Sequence, residues 1–349
     1  MKTTTSNSIC ILRLSAIGDC INALAAVQCI ARELNPESIT WLVGKNEATL
    51  FSKIPGINLV TYDKKAGLKG FLAVKKQLNN QKFTCLLDMQ SALRASMLSL
   101  CVKAERKLGF DATRACDGQR FFTNEKVTSP DFPHVLDGFM AFAGAIGCQD
   151  LTPKWDFHLD DDDYKVAQKY IKPEDKTLII APCTSKRYKN WTTIGYVEIA
   201  RYALTKGFKV ILCGGPSYLE REISNEIEQT VKSEQVLNLV GQTSLREMLG
   251  LIAKASLVVA PDSGPVHMAN AVGTPVIGLY AHHNPQRVGP RNFLDYVVSV
   301  YDDCIKEEHP NPSEIKWRTR VHDKSAMQKI NTNMVKKSFD RICADFNLE

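Results

Sequence analysis

The chain has 349 residues, more than one hydrophobic core usually serves, so two domains are expected. Apolar residues at 44% and charged residues at 23% fit a globular protein, and the lack of any run of eighteen apolar residues excludes a spanning helix. The net charge of +6 is one-sided: residues 1–155 hold nineteen Lys/Arg against thirteen Asp/Glu, and the remainder balances at twenty-five each. The basic half suits an anionic partner, which is a membrane face, a phosphorylated glycolipid or nucleic acid; the plainer reading is a solvated surface. Nucleic acid ranks last, because no basic cluster is interleaved with aromatic residues. Residues 1–14 lack the long apolar segment and cleavage site of a signal peptide. Eleven scattered cysteines show no Cys-x-x-Cys or Cys/His ligand spacing, and they read as reduced thiols of a cytosolic protein without a metal site.

The first strand is expected at 8–14, then Ser15-Ala16-Ile17-Gly18-Asp19 and a helix over 20–34. A dinucleotide dehydrogenase would place G-x-G-x-x-G in this turn, and a single glycine argues against that class. The turn sets Asp19 at a helix start, where the dipole favours an ionised carboxylate. It reads as a helix cap or as a catalytic group. Strands follow at 39–43, 59–62 and 83–88, with helices at 48–54, 68–78 and from about 93 to 102. A further segment begins at 107, a polar loop covers 121–131, and a helix runs from His134 to Ile146, with His134 in a positioning or structural role. This βαβ repetition predicts an α/β chain with parallel, doubly wound sheets. At 151–165 the register changes and a domain boundary is expected. Asp160 to Asp163 read as helix-start charges there, since consecutive side chains do not converge on one metal ion.

A strand at 177–181 leads into Pro182-Cys183-Thr184-Ser185-Lys186-Arg187-Tyr188-Lys189-Asn190-Trp191. Small hydroxyls and three cations on a loop at a strand end are what a phosphate needs, although a solvated basic loop reads the same way. The strand 210–213 ends at Gly214-Gly215-Pro216-Ser217, where glycines allow close backbone approach, before a helix over 218–231. After 237–239 and a helix at 245–253 comes the most informative stretch, 257–290: LVVAPDSGPVHMANAVGTPVIGLYAHHNPQRVGP. It is a buried strand, the turn Asp262-Ser263-Gly264, a helix carrying His267 and a second strand at 274–280. Helix-start N–H groups favour phosphate, and ligands of such units sit at the strands' carboxyl ends. A phosphate or diphosphate ester site is expected. From 300 to 320 the chain reads as charged and irregular, and a closing helix covers 332–346.

DSGPVHMANAVGTPVIGLY followed by NPQRVGP resembles the donor-site signature of the bacterial lipopolysaccharide heptosyltransferases, glycosyltransferase family 9. LLDMQSALRASML and KLGFD resemble that family's D-x-Q-x-x-x-x-S and R-x-G-F stretches. The S-x-x-G-D ending at Asp19 and Lys189-Asn190-Trp191 resemble its base motif and the K-x-W end of its diphosphate loop. The resemblance spans 14–320 and implies the GT-B architecture: two facing Rossmann-like domains with parallel sheets and an interdomain cleft. It implies an acceptor-binding domain over 1–160, a nucleotide-sugar-binding domain over 161–325, and a segment 326–349 whose helix crosses back to the first. The implied reaction is inverting transfer of heptose from ADP-heptose to Kdo–lipid A or heptosyl-Kdo–lipid A, an anionic glycolipid. By the same resemblance Asp19 is the catalytic base, and Thr184, Ser185, Lys189, Asp262, Ser263, Gly264 and His267 hold the donor. Gly215, Ser217 and Glu220 are candidates for the nucleoside pocket, although the acidic residue comes later than in many members. No metal or other cofactor is required, and the enzyme is cytoplasmic with peripheral contact at the inner membrane. Two other readings stand: a different activated sugar for a surface polysaccharide, and a non-catalytic nucleotide-sugar-binding protein, against which the presence of Asp19 argues.

Overall fold

Five consecutive residues of Ser8–Leu12 are buried, so this strand, β1, has no solvent face and belongs inside a sheet covered on both sides. The computed structural model describes residues 7–128, 130–131 and 133–348; residues 1–6, which open the stretch read for a leader, lie outside them. β1 joins β2 (Ser38–Gly44), β3 (Ile57–Tyr62), β4 (Phe83–Asp88), β5 (Ala104–Phe110) and β6 (Glu125–Val127). The order is β3-β2-β1-β4-β5-β6, and every neighbouring pair is parallel. Parallel pairs need crossovers. These carry α1 (Ile17–Leu34), α2 (Lys45–Phe51), α3 (Gly67–Leu78) and α4 (Leu93–Ser99), and α5 (Val135–Ala145) follows β6. One core contains Leu12, Leu42 and Leu86 from the strands with Val74 of α3 and Leu98 of α4, so these two helices cover the same side of the sheet.

The chain divides into a first unit, Met1–His158, and a second, Leu159–Glu349. The second repeats the topology with β7 (Thr177–Ile180), β8 (Lys209–Leu212), β9 (Val236–Asn238), β10 (Leu257–Pro261), β11 (Val276–Tyr280) and β12 (Val298–Ser299) in the order β12-β11-β10-β7-β8-β9. Its helices are α6 (Asp161–Tyr170), α7 (Thr193–Thr205), α8 (Tyr218–Val231), α9 (Leu245–Lys254), α10 (Gly264–Val272), α11 (Pro285–Val288), α12 (Tyr301–Glu308) and α13 (Thr332–Asp345). The closing helix α13, expected to cross back to the first domain, seats Val335, Phe339 and Ile342 in the core of the second unit, with Phe339 5.2 Å from Phe208. Three local expectations shift. The helix placed at 48–54 lies three residues earlier as α2, and β6 forms within the stretch read as a loop. The stretch from 300 to 320 contains α12, whose buried Tyr301, Cys304 and Ile305 make a narrow apolar stripe among charges.

In each sheet the order reverses between two central strands, β1 and β4 in the first and β7 and β10 in the second. Loops at the carboxyl ends of such strands diverge and leave a crevice. All eleven cysteines are free thiols, ten of them buried; burial pushes Cys213 up to about 12 and Cys85 up to about 11. No helix among the described residues is long and apolar enough to cross a membrane.

The aspartate run at 160–163 does what a helix start asks of it and more. Asp160 caps α6, and Asp163 returns the bond to the Asp160 N–H, completing a capping box. Asp163 also turns inward, accepting from Arg246 Nε at 2.9 Å and Nη2 at 2.7 Å, and both side chains are buried. The helices pass so closely that a Cβ on Gly250 would lie 2.2 Å from the Asp163 carbonyl oxygen. Asp163→Ala is expected to cost about 3–5 kcal/mol in urea unfolding, because it strands a buried guanidinium. Pairing it with Arg246→Met should recover part of that loss.

Asp88 closes β4 fully buried: the Gln90 N–H donates to Oδ1 at 3.3 Å, while Oδ2 has no partner. Burial pushes its carboxyl up to about 7, against the pull of Gln119, Gln90, Arg13 and Lys107. The folded state therefore keeps a proton that the unfolded chain releases near 4, and stability falls as pH rises from about 4 to about 7. Asp88→Asn should remove this slope, worth up to about 4 kcal/mol, from unfolding free energies measured across that window.

Candidate functional site

The first unit offers the turn between β1 and α1. Gln90, beyond the end of β4, accepts from the N–H of Leu14 at 2.6 Å and of Ser15 at 3.3 Å through one oxygen. Arg13 donates from Nη1 to the Met89 carbonyl at 2.8 Å, lies over the Phe139 ring at 5.2 Å, and pairs through Nη2 with Asp19. Its own carbonyl accepts from Trp41 Nε1 at 3.1 Å. Asp19 stands in the first turn of α1, whose N-cap is Ala16 and has no side-chain cap, and its side chain is 37% exposed. The side-chain partner of Asp19 is thus Arg13, and its carboxylate remains open to solvent. His134 caps α5 through Nδ1, which accepts from the Leu136 N–H at 3.1 Å, and it is buried.

In the second unit the loop after β7 is closed by its own polar groups. Asn190 Oδ1 accepts from the Thr184 N–H at 2.7 Å, and the Thr184 hydroxyl donates to the Lys186 carbonyl at 2.9 Å while accepting from the Lys186 N–H. Thr184 shapes the loop; Ser185 is exposed beside it. Lys189 is partly buried, which lowers its ammonium below the usual lysine range although Asp262 pulls upward. Its Nζ lies 3.3 Å from His283 Nε2, and His283 Nδ1 lies 2.5 Å from Asp262 Oδ2. Burial would raise the Asp262 carboxyl, but the His283 hydrogen bond and the neighbouring His283, His267 and Lys189 groups hold it below the usual carboxylate range. Next in the chain, Ser263 spends its hydroxyl on the Pro261 carbonyl at 2.9 Å, so α10 starts at Gly264 without a side-chain cap. His267, one turn into α10, is buried.

Lys189, Asp262 and His267 therefore come together around the start of α10. His283 completes the group and was not among the expected residues. Its signal was legible, since paired histidines follow β11 at the strand end next to the switch point. The neighbouring His282 contacts the Tyr188 carbonyl at 3.2 Å and the Val321 carbonyl at 3.1 Å, tying the β7 loop to the segment before α13. A cation, a histidine able to donate and an uncapped helix start form an anion site with directional donors.

The three nucleoside candidates also meet. Glu220 accepts from the Gly215 N–H at 2.7 Å and from the Ser217 hydroxyl at 2.6 Å, and Ser217 caps α8. Both carboxylate oxygens thus close the local turn. Among the described residues no group of three His, Cys, Asp or Glu is arranged to hold a metal.

The family model for glycosyltransferase family 9 (heptosyltransferase) matches residues 71–317. The chain is 47% identical over 334 residues to the lipopolysaccharide core heptosyltransferase OpsX of Haemophilus influenzae, covering 95% of this chain and 96% of that protein. Two solved structures share the fold: a family 9 glycosyltransferase from Veillonella parvula (TM-score 0.80, 18% identity, 97% of each chain) and E. coli heptosyltransferase WaaC with ADP. For the latter the TM-score is 0.75 at 17% identity, covering 96% of this chain and 99% of that one. The two parallel six-stranded sheets are those of the GT-B architecture, and the chain belongs to glycosyltransferase family 9, the heptosyltransferases.

Proposed function

We propose that this heptosyltransferase adds heptose to the inner core of lipopolysaccharide, taking it from ADP-heptose with inversion at the anomeric carbon. The observation that carries the reading is the Lys189–His283–Asp262 group at the uncapped start of α10, which suits a departing diphosphate. Nearly full-length similarity to a lipopolysaccharide core heptosyltransferase supports the sugar and the acceptor class. The second unit is the donor side. The first unit, which carries five of the six excess positive charges, is the acceptor side, matched to an anionic Kdo–lipid A type of glycolipid at the cytoplasmic leaflet.

Asp19 accepts the proton of the acceptor hydroxyl as that oxygen bonds to the anomeric carbon and the bond to the diphosphate breaks. Arg13 holds the carboxylate in place throughout. The charge that develops on ADP is met by Lys189, by His267 and by the amides of α10. Asp262 accepts from His283 Nδ1–H, which leaves Nε2 to orient the Lys189 ammonium. Ser185, exposed on its loop, is a further donor to phosphate.

ADP release from ADP-heptose with Kdo–lipid A tests this directly. Asp19→Ala should lower kcat by at least about 100-fold, the scale of a lost general base. No release with that acceptor or its heptosylated form would overturn the donor and acceptor pair, and an unchanged rate in Asp19→Ala would leave Asp19 as a structural partner of Arg13. Lys189→Ala should lower kcat by roughly 100- to 1,000-fold, as expected when a donor to the developing charge is removed. Because the charge is met by side chains and amides, excess EDTA should leave the rate unchanged; a loss restored by magnesium would contradict this assignment.

A further inference from the structure

Helices α3 and α4 cover one side of the first sheet, turning Phe71, Val74 and Leu78, and Ala95 and Leu98, toward the core. Their outer surfaces should be polar. Instead Leu68 is 82% exposed, Leu72 60%, Leu93 56% and Met97 48%. Leu68 and Leu72 on α3, and Leu93 and Met97 on α4, are each four residues apart and so stand one above the other on the helix surface. Scattered exposed leucines need no explanation, but two such pairs on adjacent helices do. Lys103 Nζ donates to the Asn79 carbonyl at 2.9 Å, tying the end of α3 to the segment after α4.

The charge around these pairs is as uneven as the apolarity. Residues 64–104 contain eight Lys/Arg, all exposed: Lys64, Lys65, Lys69, Lys75, Lys76, Lys82, Arg94 and Lys103. The one acidic residue in that span, Asp88, is fully buried, so the exposed charge of the span itself is positive. Exposed apolar pairs flanked by cations fit the headgroup boundary of an anionic bilayer, where leucines enter the acyl region and lysines meet phosphates. A second copy of this chain would bring the same positive charge against itself. Both helices start at carboxyl ends of strands, α3 after β3 and α4 after β4, the edge of the sheet where Asp19 follows β1.

We propose that the outer face of α3 and α4 is a docking surface for an anionic lipid bilayer, with Leu68, Leu72, Leu93 and Met97 inserted and the flanking lysines on the headgroups. The inference rests on the reading that the acceptor is a membrane-held anionic glycolipid, whose headgroup this docking would bring to the edge that carries Asp19.

The test uses the full chain and vesicles of phosphatidylglycerol and phosphatidylethanolamine in equal parts, against phosphatidylcholine vesicles. Sedimentation should show binding to the anionic vesicles alone, weakened by salt. Leu68→Gln, Leu72→Gln, Leu93→Gln and Met97→Gln combined should weaken binding at least tenfold or so, since one buried leucine is worth about that factor. Each Lys→Gln at 64, 65 or 69 should weaken it about fivefold. The fourfold variant should keep the wild-type melting temperature and ADP release with a deacylated, water-soluble acceptor. Wild-type binding lost in the variant supports the surface even if no transfer to lipopolysaccharide is found. Equal binding by the variant, or no binding by the wild type, would overturn it. So would a wild-type dimer that the fourfold variant dissolves, which would assign the face to a second copy.

Discussion

Parallel pairing is the constraint on which the rest of the molecule depends. When every strand runs the same way, each one ends on the same edge, and each must be followed by a loop that turns into a helix. That edge collects helix N-termini and the polar loops before them. Both units obey the rule with the same strand order, so each has one place where neighbouring loops part. Arg13, Asp19, Asp88 and Gln90 cluster at that place in the first unit, and Lys189, Asp262, His267 and His283 in the second.

The two clusters solve opposite electrostatic problems. In the first, a carboxylate must stay reachable yet fixed. Arg13 does this with a guanidinium that is itself anchored on the Met89 carbonyl and on Phe139. In the second, positive charge must be kept in a partly buried place. Burial weakens the Lys189 ammonium, while Asp262, held ionised by His283, works against that loss. Asp262 thereby acts as an internal counter-ion, and His283 lies between the two, 2.5 Å from Asp262 Oδ2 and 3.3 Å from Lys189 Nζ.

Much of this was legible in sequence because apolar runs and turn residues mark buried parallel strands. The run at 257–260 and the turn Asp262-Ser263-Gly264 stand where they were expected, as do His267 and Asp19 in the first turns of their helices and Lys189 near the end of its loop. What escaped is tertiary. Nothing in the spacing of Thr184 and Lys186 says that the hydroxyl is consumed by its own loop. Asp163 reads as one charge in four, yet it alone faces Arg246, because only that position points along α9. β6 needs the edge of β5 to exist, and α12 hides a three-residue stripe among Asp, Lys and Glu. His283 belonged to a loop legible only by composition, and its role appears once β10 and β11 lie side by side.

The buried thiols have a consequence of a different kind. Alkylating reagents attack thiolates, and here burial keeps nearly every sulfur both inaccessible and protonated. Native protein should thus be almost silent toward such reagents, and a cysteine will react only when its surroundings open. Seven of the eleven lie in the first unit, spread over strands, helices and loops, and four in the second, in loops and helices. The chain carries its own set of site-resolved reporters, through which the opening of each half can be timed separately by mass without introducing a label.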